Sequence, residues 1–532
     1  MPHTAYNSPA GSLAYVNPPS YQFLLNYIVA PHKLQLMEKI LNAAAASLRV
    51  DGSVDKFQVH NVHVMIKIVH CSGEEETLFL GFEEPSSRGT SGYVAAVKAA
   101  VEHVISWDQL LPCLSSIATD GENLNTGDRK SLWQSLEDER LAKGLPPLLK
   151  VWCAVHRSNL CWRTVTMEVR EVSVKIMDAK SLACFYHRSG VNTKELQEIS
   201  ENTMMRFPTY HEVRWAQYVH QLLQSVLHNW TAVMKHMKKL NTKEAVGYLR
   251  TWTEIGRMKT LATTCDVLYL LERLQKRLQN DSTLLFDIRC EVTTLLKSLA
   301  AMESAPLSGG EEEKLLAALG NEATLLHGHD LWEKERRTKK ANLYASDCRS
   351  TDAVRNEIIN SLRNALLSRL PEEEFASLEV LRNLRAVTIS ELRVCHSAIV
   401  PDVPLSDFIQ SYQEAANRIT STSSVRDVLR QTLHVNEWKP LSTALSRLIA
   451  AKPHSADVER LISSYNILKT DDRASLHSDT IRAYLQLREN MPPLANWDPR
   501  PAVSMWLTNK NRRPEQTHKK AHEQEYFNGI FF

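Results

Sequence analysis

The sequence predicts an α/β fold in which a mixed five-stranded sheet with flanking helices is interrupted by a large all-α insertion. Apolar and polar residues alternate over residues 62–68 and again over 78–82, which is the period of two paired strands. Valines at 94, 97, 101 and 104 follow helical spacing instead. Beyond residue 214, helical patterns continue for more than 200 residues.

The strands and helices before the insertion follow a recognisable order. Residues 20–47 predict a pair of helices, because Pro31 interrupts the helical pattern. A strand closing at Asp51, the hairpin and the valine-rich helix come next, followed by a short strand that ends at Asp120. A charged helix near residues 128–142 then precedes a strand in residues 148–155. This β-β-β-α-β-α-β order is typical of the RNase H-like fold, whose metal-binding carboxylates stand on the first and fourth strands.

The insertion is predicted from helical stripes, the clearest of which runs from Trp215 to Leu240. Further helices are expected near residues 264–278, 283–302, 311–326, 350–369 and 404–417. We therefore expect five segments: an N-terminal helical segment (1–47), the first part of the RNase H-like core (48–214), the all-α insertion (215–437), the last part of the core (438–491) and a basic C-terminal extension (492–532).

Composition limits the classes of partner. The chain has 532 residues, with 63 Lys and Arg against 61 Asp and Glu, so its net charge of +2 gives no protein-wide field for nucleic acid. Any DNA contact must come from local patches.

The nine cysteines include no CxxC pair, which favours free thiols in a reducing compartment. The N-terminus lacks the layout of a signal peptide and no apolar run is long enough to span a bilayer, so we expect an intracellular protein without a membrane partner.

Three acidic residues are the main candidates for chemistry. Asp51 and Asp120 close predicted strands, and Glu459 lies on a helix that could return to those strands. Carboxylates grouped in this way suit Mg²⁺ or Mn²⁺ and the two-metal cleavage of phosphodiester bonds. The alternative for each aspartate alone is a turn former or a helix cap.

Three other residues are candidates for DNA contact. Cys153 and His156 have CxxH spacing, but a structural zinc needs four ligands and no second pair lies at finger spacing, so no structural zinc is expected. A packed cysteine and a hydrogen-bonded or phosphate-facing histidine are the preferred interpretation.

The guanidinium of Arg214 could bind a phosphate, and the ring of Trp215 could stack on an extruded base. The alternative for Trp215 is a place in the core stripe of its helix. The basic residues of 510–520 suit nuclear import, a DNA-backbone patch or simply solvated surface.

The sequence resembles the hAT superfamily of DNA transposases over most of its length. The similar blocks, in order, are "NPPSYQFLLNYI", "VDGSVD", "TDGENLNTG", "CAVHRSNL", "PTYHEVRW" and "PHSADVERLISSYNILKTDDRASLHSDTIRAYLQLREN". The resemblance implies an RNase H-like core with a helical insertion and a nuclear protein that acts on DNA. It also implies that the C-terminal block mediates a homodimer or higher homo-oligomer through Leu461, Ile462, Leu468, Ile481, Tyr484 and Leu485.

The resemblance further assigns a role to each candidate. Asp51, Asp120 and Glu459 would be the catalytic metal ligands, His156 would lie near the scissile phosphate, and Trp215 would stabilise a flipped base. The chain departs from the family pattern because it lacks the CxxC and His pair of a BED-type zinc finger, and because Glu122 stands where a small residue is common. The extra carboxylate beside Asp120 bears on ion placement.

Three functions therefore follow from the sequence. The first is an active transposase with an intact acidic triad, and the second is a domesticated or truncated relative that acts as a dimerising nuclear scaffold. The third is a helical interaction protein whose acidic residues are purely structural. None of the three calls for a small-molecule substrate.

Overall fold

The computed structural model describes residues 18–127, 130–209, 215–319, 325–332, 350–419 and 424–508. Within these ranges the chain forms two compact units. Unit 1 takes its residues from Met1–Ile117, Gly127–Leu148 and Ala456–Phe532, and unit 2 takes its residues from Ala118–Thr126 and Leu149–Ser455. Residues 149–209, which the sequence grouped with the sheet, therefore fall in unit 2.

The predicted mixed five-stranded sheet is confirmed. Its strand order is β3-β2-β1-β4-β5, and β2 is antiparallel to both β1 and β3. The strands are β1 (Ala45–Val54), β2 (His60–Val69), β3 (Glu75–Glu83), β4 (Leu114–Thr119) and β5 (Leu149–Trp152). A second sheet in unit 2 pairs β6 (Leu325–Leu326) with β7 (His329–Asp330), so the insertion is not purely helical.

Helices account for most of the remaining described chain. The first group is α1 (Pro18–Leu41), α2 (Thr90–Glu102), α3 (Trp107–Cys113), α4 (Asn123–Thr126), α5 (Leu132–Ala142), α6 (Ala154–Glu168), α7 (Arg170–His187) and α8 (Gly190–Ile199). The second group is α9 (Trp215–Leu240), α10 (Lys243–Trp252), α11 (Ile255–Leu278), α12 (Asp287–Met302), α13 (Glu311–Leu319), α14 (Thr351–Arg369), α15 (Ile389–Ile399), α16 (Leu405–Arg418), α17 (Val425–Thr432), α18 (Lys439–Ala450), α19 (Ala456–Leu468), α20 (Ser478–Asn490) and α21 (Arg500–Thr508). No helix in the described ranges is both long enough and apolar enough to cross a membrane.

The expected break at Pro31 is wrong, because α1 runs through this residue as one helix. A proline removes one backbone hydrogen bond from a helix interior. Leu36 and Ile40 are fully buried, and Nε2 of His32 donates to the carbonyl of Asn490 (2.9 Å), so tertiary contacts hold the helix together on the C-terminal side of the proline.

The predicted hairpin of β2 and β3 is confirmed, but its side chains do not follow simple alternation. The pairing shifts between Val64 and Met65, so that Met65 pairs with Phe79 while Val64 pairs with Gly81. Leu80 is the extra residue of this bulge. Because one extra residue reverses the facing of all that follow, Phe82 shares a face with Phe79 rather than with Leu78.

Both faces of the hairpin are covered, whereas the sequence predicted one buried face. Phe79, Phe82 and Met65 form a core cluster with Leu461, Tyr465, Ile481 and Leu485 of α19 and α20. The His63 ring lies against this cluster, 5.3 Å from the ring of Tyr465. Burial lowers the pKa of His63 to about 3, so this histidine is neutral and behaves as part of the core.

Helix α20 also covers the outer edge of β3, the last strand in the sheet order. The side-chain amide of Asn490 accepts the N–H of Phe79 (2.7 Å) and donates to its carbonyl (2.8 Å). Gln486 donates to the carbonyls of Phe79 (3.2 Å) and Leu80 (3.0 Å). Two side-chain amides thus take the place of a neighbouring strand, which protects an edge that would otherwise be open to pairing.

Replacing Asn490 with alanine tests this edge contact. The change leaves the buried N–H of Phe79 without its partner and removes one of the two donors to its carbonyl, so we expect the free energy of unfolding to fall by roughly 1–3 kcal/mol in urea titration. Asn466, exposed on α19, provides the matched control, for which Asn466→Ala should change it by less than about 0.5 kcal/mol. Equal losses in the two variants would contradict a protective role for Asn490.

Candidate functional site

The turn after β4 holds Asp120 in a fixed position. Its Oδ1 accepts the N–H of Glu122 (3.2 Å) and the side-chain amide of Asn125 (2.5 Å). The residue is only 8% exposed, and its Oδ2 forms no hydrogen bond within the described part of the chain. Asp120 therefore stabilises the turn through Oδ1, as one interpretation of the sequence predicted. Its Oδ2 remains available to a ligand.

The residue after Asp120 must be glycine because of a close contact. A Cβ atom on Gly121 would lie 2.2 Å from Nε1 of Trp152, far inside van der Waals distance. The guanidinium carbon of Arg157 lies 5.5 Å from the centre of the same indole ring, within cation–π range. Arg157 is held in turn by the carboxylate of Glu374 (2.5 Å). The position of Trp152 is thus fixed, and the turn packs directly on it.

His156 lies on the first turn of α6, close enough to Asp120 for the two charges to interact. Burial lowers the pKa of His156, and the Asp120 carboxylate opposes this shift only in part. The imidazole is therefore mainly neutral at neutral pH and able both to donate and to accept a hydrogen bond.

Cys153 is fully buried, as the packed-cysteine interpretation predicted. Its backbone N–H donates to the carbonyl of Thr119 (2.9 Å), and its sulfur accepts the N–H of Ser455 (3.4 Å). The next residue, Ala154, donates to the carbonyl of Pro453 (2.8 Å). The CxxH block therefore joins the end of β4 to the segment that precedes α19.

Asp51 and Glu459 belong to unit 1, where a buried ion pair joins their two elements. Asp51 lies on β1, is 8% exposed and is paired in register with His63. Two residues before it on the same face of the strand, Arg49 forms an ion pair with Asp457 of α19. Glu459 is two residues beyond Asp457, about 200° around the helix, and is half-buried. Asp457 therefore occupies the sheet-facing side of α19, and Glu459 lies on nearly the opposite side of the helix.

The sequence interpretation missed Arg49, Asp457, Asn125 and Trp152. A signal for the first pair was present, because an arginine inside an otherwise apolar strand requires a buried acidic partner. The sequence could not show which acidic residue is the partner of Arg49, since Arg49 and Asp457 are 408 positions apart. Asn125 and Trp152 carried no signal beyond their closeness to the predicted motifs.

The donor atoms near Asp120 suit a hard divalent cation. The side-chain oxygen of Asn125 is buried without a hydrogen-bond partner, although its amide nitrogen is bonded to Asp120. Carboxylate and amide oxygens are the ligands that Mg²⁺ and Mn²⁺ prefer. Among the described residues, however, no group of three or more His, Cys, Asp and Glu side chains is arranged to hold a metal ion. The oxygen donors near Asp120 suit a divalent cation, but the described residues do not form a complete set of ligands for one.

The predicted DNA-contacting pair is described only in part, because Arg214 and the basic residues of 510–520 lie outside the described residues. Trp215 begins α9 and is half-buried. Its ring lies 4.2 Å from the Lys180 ammonium and 6.2 Å from the ring of Tyr218. One face of the indole is thus already occupied by a cation–π contact.

The predicted dimerisation residues fall into two groups. Leu461, Ile481 and Leu485 are buried in the core cluster of unit 1, and Ile462 and Leu468 pack against that cluster. Tyr484, in contrast, is 45% exposed. Most of the apolar surface of α19 and α20 is therefore covered by the sheet of the same chain.

A search against protein-family models found no match for this chain. The transposase resemblance consequently rests on the sequence blocks themselves. The fold contributes the mixed five-stranded sheet, with Asp51 inside β1 and Asp120 directly after β4.

The contact between Gly121 and Trp152 can be tested by Gly121→Ala. The added methyl group forces the indole to move, and overpacking of this kind costs roughly 1–3 kcal/mol, so we expect a lower melting temperature. Gly247→Ala is the matched control, because its Cβ meets no atom within 4 Å and it lies inside helix α10. That control should leave stability unchanged or raise it by up to about 1 kcal/mol. An unchanged melting temperature in Gly121→Ala would rule out the tight contact.

Proposed function

We propose that this chain is a hAT transposase-like nuclear protein, domesticated or truncated, that acts on DNA as a homodimer or higher oligomer. In this proposal it retains Asp51, Asp120 and Glu459 for metal-dependent DNA strand cleavage and transfer. The sheet and the donor atoms around Asp120 support the proposal, and the sequence blocks supply its family context.

One observation carries most of the weight. The strand order β3-β2-β1-β4-β5, with an antiparallel hairpin on one side, is compatible with the proposed RNase H-like core. The Ser115 hydroxyl, near the start of β4, donates to the carbonyl of Ala46, near the start of β1 (3.0 Å). Asp51 lies inside β1, and Asp120 directly follows β4.

The proposal assigns separate tasks to the residues of the chain. Asp120 would offer Oδ2 to the ion while Oδ1 stays fixed by the turn, and Asp51 and Glu459 would complete the oxygen ligands. A bound Mg²⁺ or Mn²⁺ pair supplies an activated water and neutralises charge on the phosphate oxygens. His156 would hydrogen-bond a phosphate oxygen as a neutral imidazole, and the Arg49–Asp457 pair would keep the elements that carry Asp51 and Glu459 together.

A cleavage assay with purified full-length protein, Mn²⁺ and a DNA end that can form a hairpin tests this function. We expect cleavage that falls by at least about a hundredfold in Asp51→Ala, Asp120→Ala and Glu459→Ala, since each variant removes an oxygen ligand. Glu122→Gln is the matched control, because it neutralises an exposed carboxylate beside Asp120 and should cleave at least as well as the wild type. Equally weak cleavage by wild type and all three alanine variants would reject the proposal.

A catalytically inactive nuclear scaffold or chromatin-associated interaction protein is the alternative. The observation that favours it is the turn itself, because Asp120 already uses one oxygen to fix the backbone of Glu122 and the amide of Asn125. In that case all three acidic residues are structural, and the cleavage assay separates the two functions.

Self-association is common to both functions and has its own test. Deleting α19 and α20 would remove part of the core cluster, so point changes on their exposed side are preferable. Ile467 is 63% exposed and Tyr484 is 45% exposed, and both belong to the region predicted to dimerise. Light scattering of the full chain should give at least a dimer, and the double change Ile467→Asp with Tyr484→Asp should give the monomer mass. Ile389→Asp, at a residue 54% exposed in unit 2, should leave the dimer intact, and a double variant that remains dimeric would exclude this surface.

A further inference from the structure

A cavity of about 470 Å³ lies in unit 2 between the end of α7, helix α8 and the segment that follows it. This volume falls within the range of roughly 300–1,000 Å³ that is typical of small-ligand sites. None of the sequence motifs and none of the proposed catalytic residues lie in it. The cavity therefore needs an explanation of its own.

The rim of the cavity is basic. His187, Lys194 and Arg206 line it and are exposed, and no acidic residue is among its described lining residues. Within the described ranges none of these three side chains forms an ion pair. Three unpaired basic groups around one concave surface attract an anion, and Arg206 can grip a phosphate through two donors at once. Gly190, the first residue of α8, leaves open space at the same rim, since a Cβ there would meet nothing within 4 Å.

The floor of the cavity is aromatic and rigid. The rings of Tyr186 and Phe207 are both buried and stack with centroids 5.4 Å apart and an angle of 12°. The Tyr186 hydroxyl lies 3.0 Å from Nδ1 of His236, and Nε2 of His236 lies 3.1 Å from a carboxylate oxygen of Glu195. Half-buried Met204 adds apolar surface beside the rings.

The hydrogen bonds of this floor can run in one direction only. Glu195 as a carboxylate accepts, so Nε2 of His236 must donate to it, and Nδ1 is left to accept from the Tyr186 hydroxyl. This arrangement requires a neutral imidazole, in agreement with burial, which lowers the pKa of His236. Glu195 is also bound by Lys239 (3.3 Å), so its charge is compensated outside the cavity and does not cancel that of the rim.

We propose that this cavity binds a nucleoside phosphate, with the phosphate at Lys194 and Arg206 and the base beside Met204, over the buried rings of Tyr186 and Phe207. A basic rim alone would suit any anion, and an aromatic floor alone would suit any apolar ring. The combination matches a ligand that carries a phosphate and a planar ring within one molecule. Thr193 and Gln197, also in the lining, supply hydrogen-bonding groups for the sugar.

Titration calorimetry of the full-length protein with AMP, adenosine and inorganic phosphate tests this site. The experiment uses neither a cleavable DNA substrate nor divalent metal ions, so its outcome is separate from that of the cleavage assay. We expect AMP to bind with a Kd at least about tenfold lower than that of adenosine or phosphate, because only AMP satisfies both the rim and the floor. Arg206→Gln should raise the Kd for AMP by at least about tenfold. The matched control Arg393→Gln, at an exposed arginine of α15, should leave it within about twofold.

The remaining outcomes are equally decisive. A 5′-phosphorylated dinucleotide that binds more tightly than AMP supports the site and identifies the end of a DNA strand as the source of the ligand. Tighter binding of AMP supports the site with a free nucleotide as its ligand. Equal Kd values for AMP and phosphate, or for AMP and adenosine, would overturn the proposal. So would an equal effect of Arg206→Gln and Arg393→Gln, or the lack of any binding.

Discussion

Unit 1 depends on the buried ion pair between Arg49 of β1 and Asp457 of α19. The Arg49 side chain is fully buried, and a guanidinium in such a place is tolerated only with a carboxylate beside it. Removing one member of such a pair typically costs about 3–5 kcal/mol, because the other charge is left without compensation. Since the two residues are 408 positions apart, Arg49 gains its partner only when the chain returns from the insertion.

The return of the chain explains why the hairpin is buried on both faces. Its second face carries His63 and Met65, which would be exposed without α19 and α20. The bulge at Leu80 turns both Phe79 and Phe82 towards these helices and so doubles the aromatic surface that they cover. Asn490 and Gln486 then satisfy the outer edge of β3. The C-terminal region thus has a structural task within its own chain, whatever it contributes to self-association.

The sequence was sufficient for features that depend on local periodicity. Alternation revealed the strands, and helical stripes located α9. However, β1 continues to Val54, where the sequence predicted a strand that closes at Asp51, and β4 ends at Thr119 rather than at Asp120. Features that depend on a single residue or on distant partners were not accessible. The extra residue Leu80 leaves the pattern of apolar residues nearly unchanged, although it reverses the facing of Phe82. The cavity next to Tyr186 likewise forms where residues 204–207 lie against α7 and α8. No residue spacing in the sequence predicts this contact.

The chemistry at residue 120 separates a structural role from a functional one. An asparagine at this position could accept the same two hydrogen bonds, from the N–H of Glu122 and the amide of Asn125, without burying a charge. The turn alone therefore does not explain a carboxylate, whose removal from water is costly unless another group compensates it. The nearby His156 is mainly neutral because of its burial and supplies little compensation. Asp120 and Asn125 would both suit a divalent cation as oxygen ligands, and its positive charge would compensate the buried carboxylate.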